Sequence, residues 1–233
     1  MFSFAFVASA ATTLPVNLSK PDRTRALQIL GFGSAAKILD NPYPLGGYSG
    51  LEVGLSSEFI PMEDLAALGN GSTDSGEFSF YTLTFAKGLY NNVDVHVYFT
   101  PLIQSEELES FGGQIRWGFF ESVSFPLSLT AVISAGAANF SNLVNISTLG
   151  ADLVATVAME DVALYVGAGR TRALGTFIGG PDGITDTGET ISEDILEDHT
   201  LFGISVEISK MFLALQIDRY ADTVYSGKLG FRF

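Results

Sequence analysis

Thr223-Val-Tyr-Ser-Gly-Lys-Leu-Gly-Phe-Arg-Phe233 alternates in character from Tyr225 to Phe233. In an extended chain, successive side chains point to opposite faces. Tyr225, Leu229, Phe231 and Phe233 therefore share one face, with Gly227 between them, and Ser226, Lys228, Gly230 and Arg232 share the other. One side is aromatic and apolar; the other carries two cations. A strand of this kind left unpaired would be an edge that templates aggregation. It calls for a sheet in which the strand has a partner on both sides.

The same period of two runs back through most of the chain. From residue 48, Leu51, Val53, Leu55 and Phe59 alternate with Glu52, Gly54, Ser56 and Glu58. Residues 77–89 place Tyr81, Leu83 and Phe85 on one face. Phe78 and Phe80 break that parity, which predicts a bulge or residues beyond an apolar band. Val93, Val95, Val97 and Phe99 oppose Asp94, His96, Tyr98 and Thr100; Ile115, Trp117 and Phe119 oppose Gln114 and Arg116. Five further strands follow, near residues 127–134, 149–157, 162–169, 202–208 and 213–218, and the terminal segment makes ten. Short links at 90–92, 121–124, 159–161 and 209–211 alternate with longer ones at 60–76, 101–110, 139–145 and 173–198; only the last link on the long side, 220–222, is tight.

Composition narrows the class. Hydrophobic residues make up 47% of the 233, yet no uninterrupted apolar run approaches the ~18 residues of a membrane-spanning helix. The net charge of −14 opposes binding to nucleic acid, whose phosphates would repel it. With no cysteine there is neither a disulfide framework nor thiolate chemistry.

An even number of alternating strands, loop lengths sorted by side and a terminal aromatic strand resemble a Gram-negative outer-membrane β-barrel protein. The final strand is similar to the C-terminal insertion signal of that class, carried here by Tyr225, Leu229, Phe231 and Phe233, with Lys228 where a glycine is often found. The resemblance covers residues 48–233. It implies an all-β, transmembrane antiparallel barrel of about ten strands, integral to the outer membrane. Short turns and both termini would be periplasmic and long loops external. The implied partners are outer-membrane lipid and the barrel-assembly machinery, with the protein a monomer. Phe59 and Phe99 would then lie at the external interface, and Trp117, Phe119, Phe212, Phe231 and Phe233 at the periplasmic one.

If the apolar face meets lipid, Glu52, Asp94, His96, Arg116, Asp152, Glu207, Asp218, Lys228 and Arg232 face the lumen. Their charges must be paired or wetted in so narrow a space, with Lys228 and Arg232 set between Asp218 and Glu52. The N-terminal part reads differently. Met1-Phe-Ser-Phe-Ala-Phe-Val-Ala-Ser-Ala10 looks like the end of a signal peptide with an A-x-A site but no basic start. In residues 11–47, Ser19 with Pro21 and Asp22 starts a short helix that breaks at Gly31-Phe-Gly33; Ala35 to Leu39 adds one more turn. This segment is expected to plug the lumen or cap its periplasmic mouth.

No catalytic, metal or cofactor site is expected. His96 points inward without a serine partner at a marked spacing, and His199 diverges from its neighbour Asp198 on a strand. The acidic stretch 180–189 lacks EF-hand spacing. These readings predict a non-enzymatic barrel with a structural or surface-interaction role through acidic external loops. A narrow porin-like channel for small solutes is the alternative; an outer-membrane hydrolase and a soluble β-barrel binding protein rank below both.

Overall fold

A computed structural model describes residues 14–61, 63–72, 77–101 and 108–233; the signal-like residues 1–10 lie outside it. Ten strands form: β1 (Leu51–Pro61), β2 (Glu77–Gly88), β3 (Val93–Phe99), β4 (Leu108–Glu121), β5 (Leu127–Phe140), β6 (Val144–Met159), β7 (Val162–Phe177), β8 (Ile191–Ile208), β9 (Met211–Arg219) and β10 (Thr223–Arg232). Each pairs antiparallel with its sequence neighbours, and β10 returns to β1, so the sheet closes as an all-β barrel. The closing register runs from Glu52↔Arg232 to Phe59↔Tyr225. Among the described residues, no helix is long and apolar enough to cross a membrane.

The barrel is apolar outside and charged inside. Leu55, Val97, Ile115, Trp117, Ile133, Leu149, Leu153, Val166, Phe202, Leu215, Tyr225 and Leu229 are all exposed, while Glu52, Asp94, Arg116, Asp218 and Lys228 are buried. A protein folded in water sorts these residue types the other way.

The sequence misplaced several boundaries. The link expected over 139–145 shrinks to 141–143, because β5 and β6 stay paired to their ends and Asn139 donates to Asn145 at 2.8 Å across the pair. The loop expected over 173–198 shrinks to 178–190. Its flanks extend as strands whose outer face carries the ion pairs Arg170–Asp198 and Arg172–Asp194, each 2.5 Å, so they read as polar loop. Phe80 marks no bulge. Its strand keeps an unbroken register with β1, and its ring is buried inside the barrel; the Phe78 side chain lies outside the described residues. The register does shift in β4, between Gly118 and Phe120. Phe212, expected in the outer aromatic band, is buried inside with Lys228 and Arg232 over its ring, 5.4 and 5.1 Å from the centroid.

The N-terminal segment runs through the barrel. At the end of the long loops, which we call the loop end, Leu18 accepts from Asp186 N and donates its own N–H to Ile184 O, forming a parallel bridge to Thr185. Helix α1 (Lys20–Gly33) follows, its Ser19 N–H bonded to Asp22 at 3.0 Å. It continues through the glycines expected to break it. Gly31 lets the helix lie close to the wall: a Cβ there would come within 3.1 Å of the Ala173 Cβ. Leu27, Leu30 and Phe32 pack with Ile60, Phe80, Phe140, Ile146 and Phe177 in one apolar cluster, each side chain contributing roughly 1.5–3 kcal/mol.

No helical turn forms over Ala35 to Leu39, because wall side chains take the backbone groups a turn would use. Gln114 and Arg116 donate to the carbonyls of Lys37 and Ile38, and Gln216 accepts from Leu39 N. The chain reaches the opposite end, which we call the turn end, where Leu45 N donates to Asp94 and Tyr43 to Glu121. Phe233 also lies there, paired with Leu51. The first described residues and the last therefore sit at opposite ends; the sequence reading put both termini on one side, and residues 1–13 lie outside the described residues.

Candidate functional site

Below the apolar cluster, the interior is a charged network centred on a residue the sequence reading missed. Asp40 is fully buried. Arg116 holds its Oδ1, while Lys228 Nζ and His96 Nδ1 lie 3.5 and 3.6 Å from Oδ2.

Lys228 also donates to Glu52 Oε1 at 2.6 Å, and Arg232 to Glu52 Oε2 at 2.8 Å and to Glu207. Arg116 completes its fork on Gln114 and the Ile38 carbonyl, at 2.9 and 2.7 Å. Three strand cations and three carboxylates (Asp40, Glu52 and Glu207) thus interlock across β1, β4, β8, β10 and the segment between α1 and β1. Such a network contributes little net stability when complete, yet losing one member is costly.

The other predicted lumen residues fall around this centre. Asp94 lies behind Leu45, accepting its N–H at 2.8 Å. Asp218 does not reach Lys228. It faces a different quadrant, where Gln216 Nε2 donates to both its oxygens at 2.9 Å. Asp152 is separate again: His199 Nε2 lies 2.9 Å from its Oδ1, and the His199 ring stacks on Tyr220 at 4.3 Å, which stacks on Phe32 at 4.8 Å. Tyr225, Leu229, Phe231 and Phe233 are all exposed on the outer face.

One signal for Asp40 was available. It is the sole acid between Asp22 and Glu52, set in an apolar run before Asn41-Pro42.

Asp40, Glu52 and His96 bring three ligand-capable atoms within 4.8 Å of one another. Lys228 and Arg116 already neutralise both carboxylates, so the donor set offers a metal ion no free charge. A small cleft of about 30 Å³ opens beside the network, between residues 36–39 and the wall made by β1 to β4. Glu58, Thr84, His96 and Tyr98 line it, with Lys37 Nζ 3.9 Å from Glu58.

No family model and no curated protein matches the chain. Solved structures similar to it include the N-terminal β-barrel domain of Pseudomonas aeruginosa OprF, at 11% identity and a TM-score of 0.42, covering 80% of this chain and 99% of that one. The attachment invasion locus protein Ail of Yersinia pestis gives 16% identity and 0.33, covering 79% and 97%. BamA from Haemophilus ducreyi gives 11% and 0.37, covering 92% of this chain and 49% of that one. At these similarities they say nothing of this chain beyond what its own strand order says.

Proposed function

We propose that this protein is an integral outer-membrane β-barrel, kept closed by its own N-terminal segment, with a structural or surface-interaction role. The observation that carries this reading is the inverted sorting of residues: an apolar belt on the outside of a closed barrel whose ion pairs are inside. In water such a belt would far exceed the apolar patch a soluble monomer tolerates. In a bilayer, closure leaves no unpaired strand edge in the hydrocarbon.

The turn end faces the periplasm in this reading and the loop end faces outward, with Tyr225, Leu229, Phe231 and Phe233 serving assembly as well as lipid contact. Residues 14–49 act as a plug. The outer surface is built from loops stiffened from within: Arg23 of α1 bonds Asp186 and Glu193 at 2.9 and 3.0 Å, and Arg25 bonds Asp64 and Asp222 at 2.5 and 2.8 Å. No catalytic role is included. The Asp152–His199 pair is shut beneath Tyr220 and Phe32, away from any substrate.

A second reading, a narrow channel for small solutes, is favoured by the cleft beside the plug. Partition and planar-bilayer recording test both. The refolded protein is expected to need detergent, to show a heat-dependent gel shift and to pass no steady current. Partition into water would overturn the membrane reading; steady current from the intact protein would replace the closed barrel by the channel.

A further inference from the structure

We propose that the turn joining β4 to β5 is a lipid anchor, with Phe119, Phe120, Val123 and Phe125 seated in the headgroup layer of the leaflet at the turn end. This rests on the membrane reading above and deepens it: one side of the barrel gains a hold on lipid that the other turns lack.

The anchor begins at the register shift between Gly118 and Phe120. An extra residue in a strand lets two consecutive side chains leave by the same face. Gly118 stays buried, where a Cβ would come within 2.6 Å of Pro44, while Phe119 and Phe120 are both exposed. The chain then passes through Ser122-Val-Ser-Phe-Pro126 without a charge. Val123 is fully exposed and Phe125 is 55% exposed.

The neighbouring turns set the contrast. Tyr90-Asn91-Asn92 lies on one side and Glu160-Asp161 on the other, and the remaining short link is Ser209-Lys210. Their amides and charges belong in water. Pro126 accepts from Ala158 N at 3.0 Å, so the apolar turn and the acidic one spring from the same hydrogen-bonded level.

Continuity identifies what covers the apolar turn. Ile115, Trp117 and Phe119 are successive outward residues of β4 and all exposed, so the turn prolongs the apolar belt without a break. Its protruding, charge-free tip suits a fluid surface that closes around it. Ser122 N donates to Leu127 O at 2.9 Å and Leu127 N to Phe125 O at 2.6 Å. An irregular turn cannot satisfy all of its backbone within hydrocarbon, which limits insertion to the headgroup layer. Aromatic rings concentrate at that depth.

The chain has no cysteine, so single introduced cysteines can carry a spin label. The test uses the full chain in vesicles of phosphatidylethanolamine and phosphatidylglycerol. It compares collisions of the label with oxygen, which concentrates in lipid, and with a neutral nickel chelate, which stays in the water on both sides. Val123→Cys and Phe125→Cys are expected to give a higher oxygen-to-nickel ratio than Glu160→Cys, with Leu149→Cys in the belt as the lipid reference. A ratio at both positions no higher than at Glu160, with Leu149 still in lipid, would overturn the anchor alone. Shielding of both positions from both reagents would also overturn it, in favour of a protein partner or a second copy. A water-like ratio at Leu149 would bring down the membrane reading itself, and the anchor with it.

Discussion

Changing Asp40 to asparagine removes one charge from the centre of the lumen and almost no volume. The consequence falls unevenly on its three neighbours. Lys228 keeps Glu52 at 2.6 Å, and His96 has no short contact to lose, but Arg116 has no other carboxylate among its hydrogen-bond partners. Breaking a buried ion pair by neutralising one member costs about 3–5 kcal/mol. Arg116 retains Gln114 and the Ile38 carbonyl, which places this case near the lower bound, at about 3 kcal/mol. The loss falls on docking of the N-terminal segment; the ten strands remain paired.

Native-state proteolysis reads that quantity directly. Trypsin cleavage after Lys37, buried in the folded protein, should accelerate on the order of 100-fold in Asp40→Asn, since each 1.4 kcal/mol is tenfold. The heat-dependent gel shift of the barrel should persist. Equal protection at Lys37 in the wild type and Asp40→Asn would refute the reasoning.

Tyr43 donates to Glu121 at 2.5 Å, and that bond, with some burial, pushes its phenol up to about 12. A difference titration of absorbance between the wild type and Tyr43→Phe should show a phenolate forming near pH 12, not near 10. Gly203→Ala should destabilise the barrel by about 1–3 kcal/mol through overpacking, because the new Cβ would lie 2.1 Å from the ring of the buried Tyr165. Pairing it with Tyr165→Leu should recover part of that loss in a thermal melt. With the loop end outward, a cysteine at Val16, which is 44% exposed, should react with a membrane-impermeant maleimide on intact cells. Labelling only after the outer membrane is breached would reverse the orientation.

The barrel was legible because its signal is repeated. Ten segments alternate with period two, and an error in one strand is corrected by its neighbours. Two of the misplacements occur where the usual sorting of polar and apolar faces gives way. Phe80 looked out of phase because inward residues were expected to be hydrophilic. At the loop end they face α1, and the interior is an apolar core. The flanks of the 178–190 loop failed in the converse way, since Arg170, Arg172, Asp194 and Asp198 put charge on the outer face of what is still a ladder.

Asp40 was invisible for a different reason. It sits on an irregular segment whose conformation is set by side chains from β4 and β9, so no local period marks it. Ala35 to Leu39 has helix-forming composition, and tertiary hydrogen bonds overrode it.

The path of residues 14–49 also constrains the order of events during maturation. A closed ring of ten strands surrounds a chain that enters at one mouth and continues, at the other, directly into the ring's first strand. Sealing requires strands 180 positions apart in sequence to meet, Glu52 with Arg232, a long-range step that is intrinsically late. Whatever is attached ahead of residue 14 must already be on the loop side when that seam forms. Afterwards it would have to pass through a bore already occupied by a helix some 10–12 Å across. A compact domain fused there becomes a stopper knot: it is accepted only if it unfolds for passage or crosses before the seam closes, and once across it locks the thread in the ring.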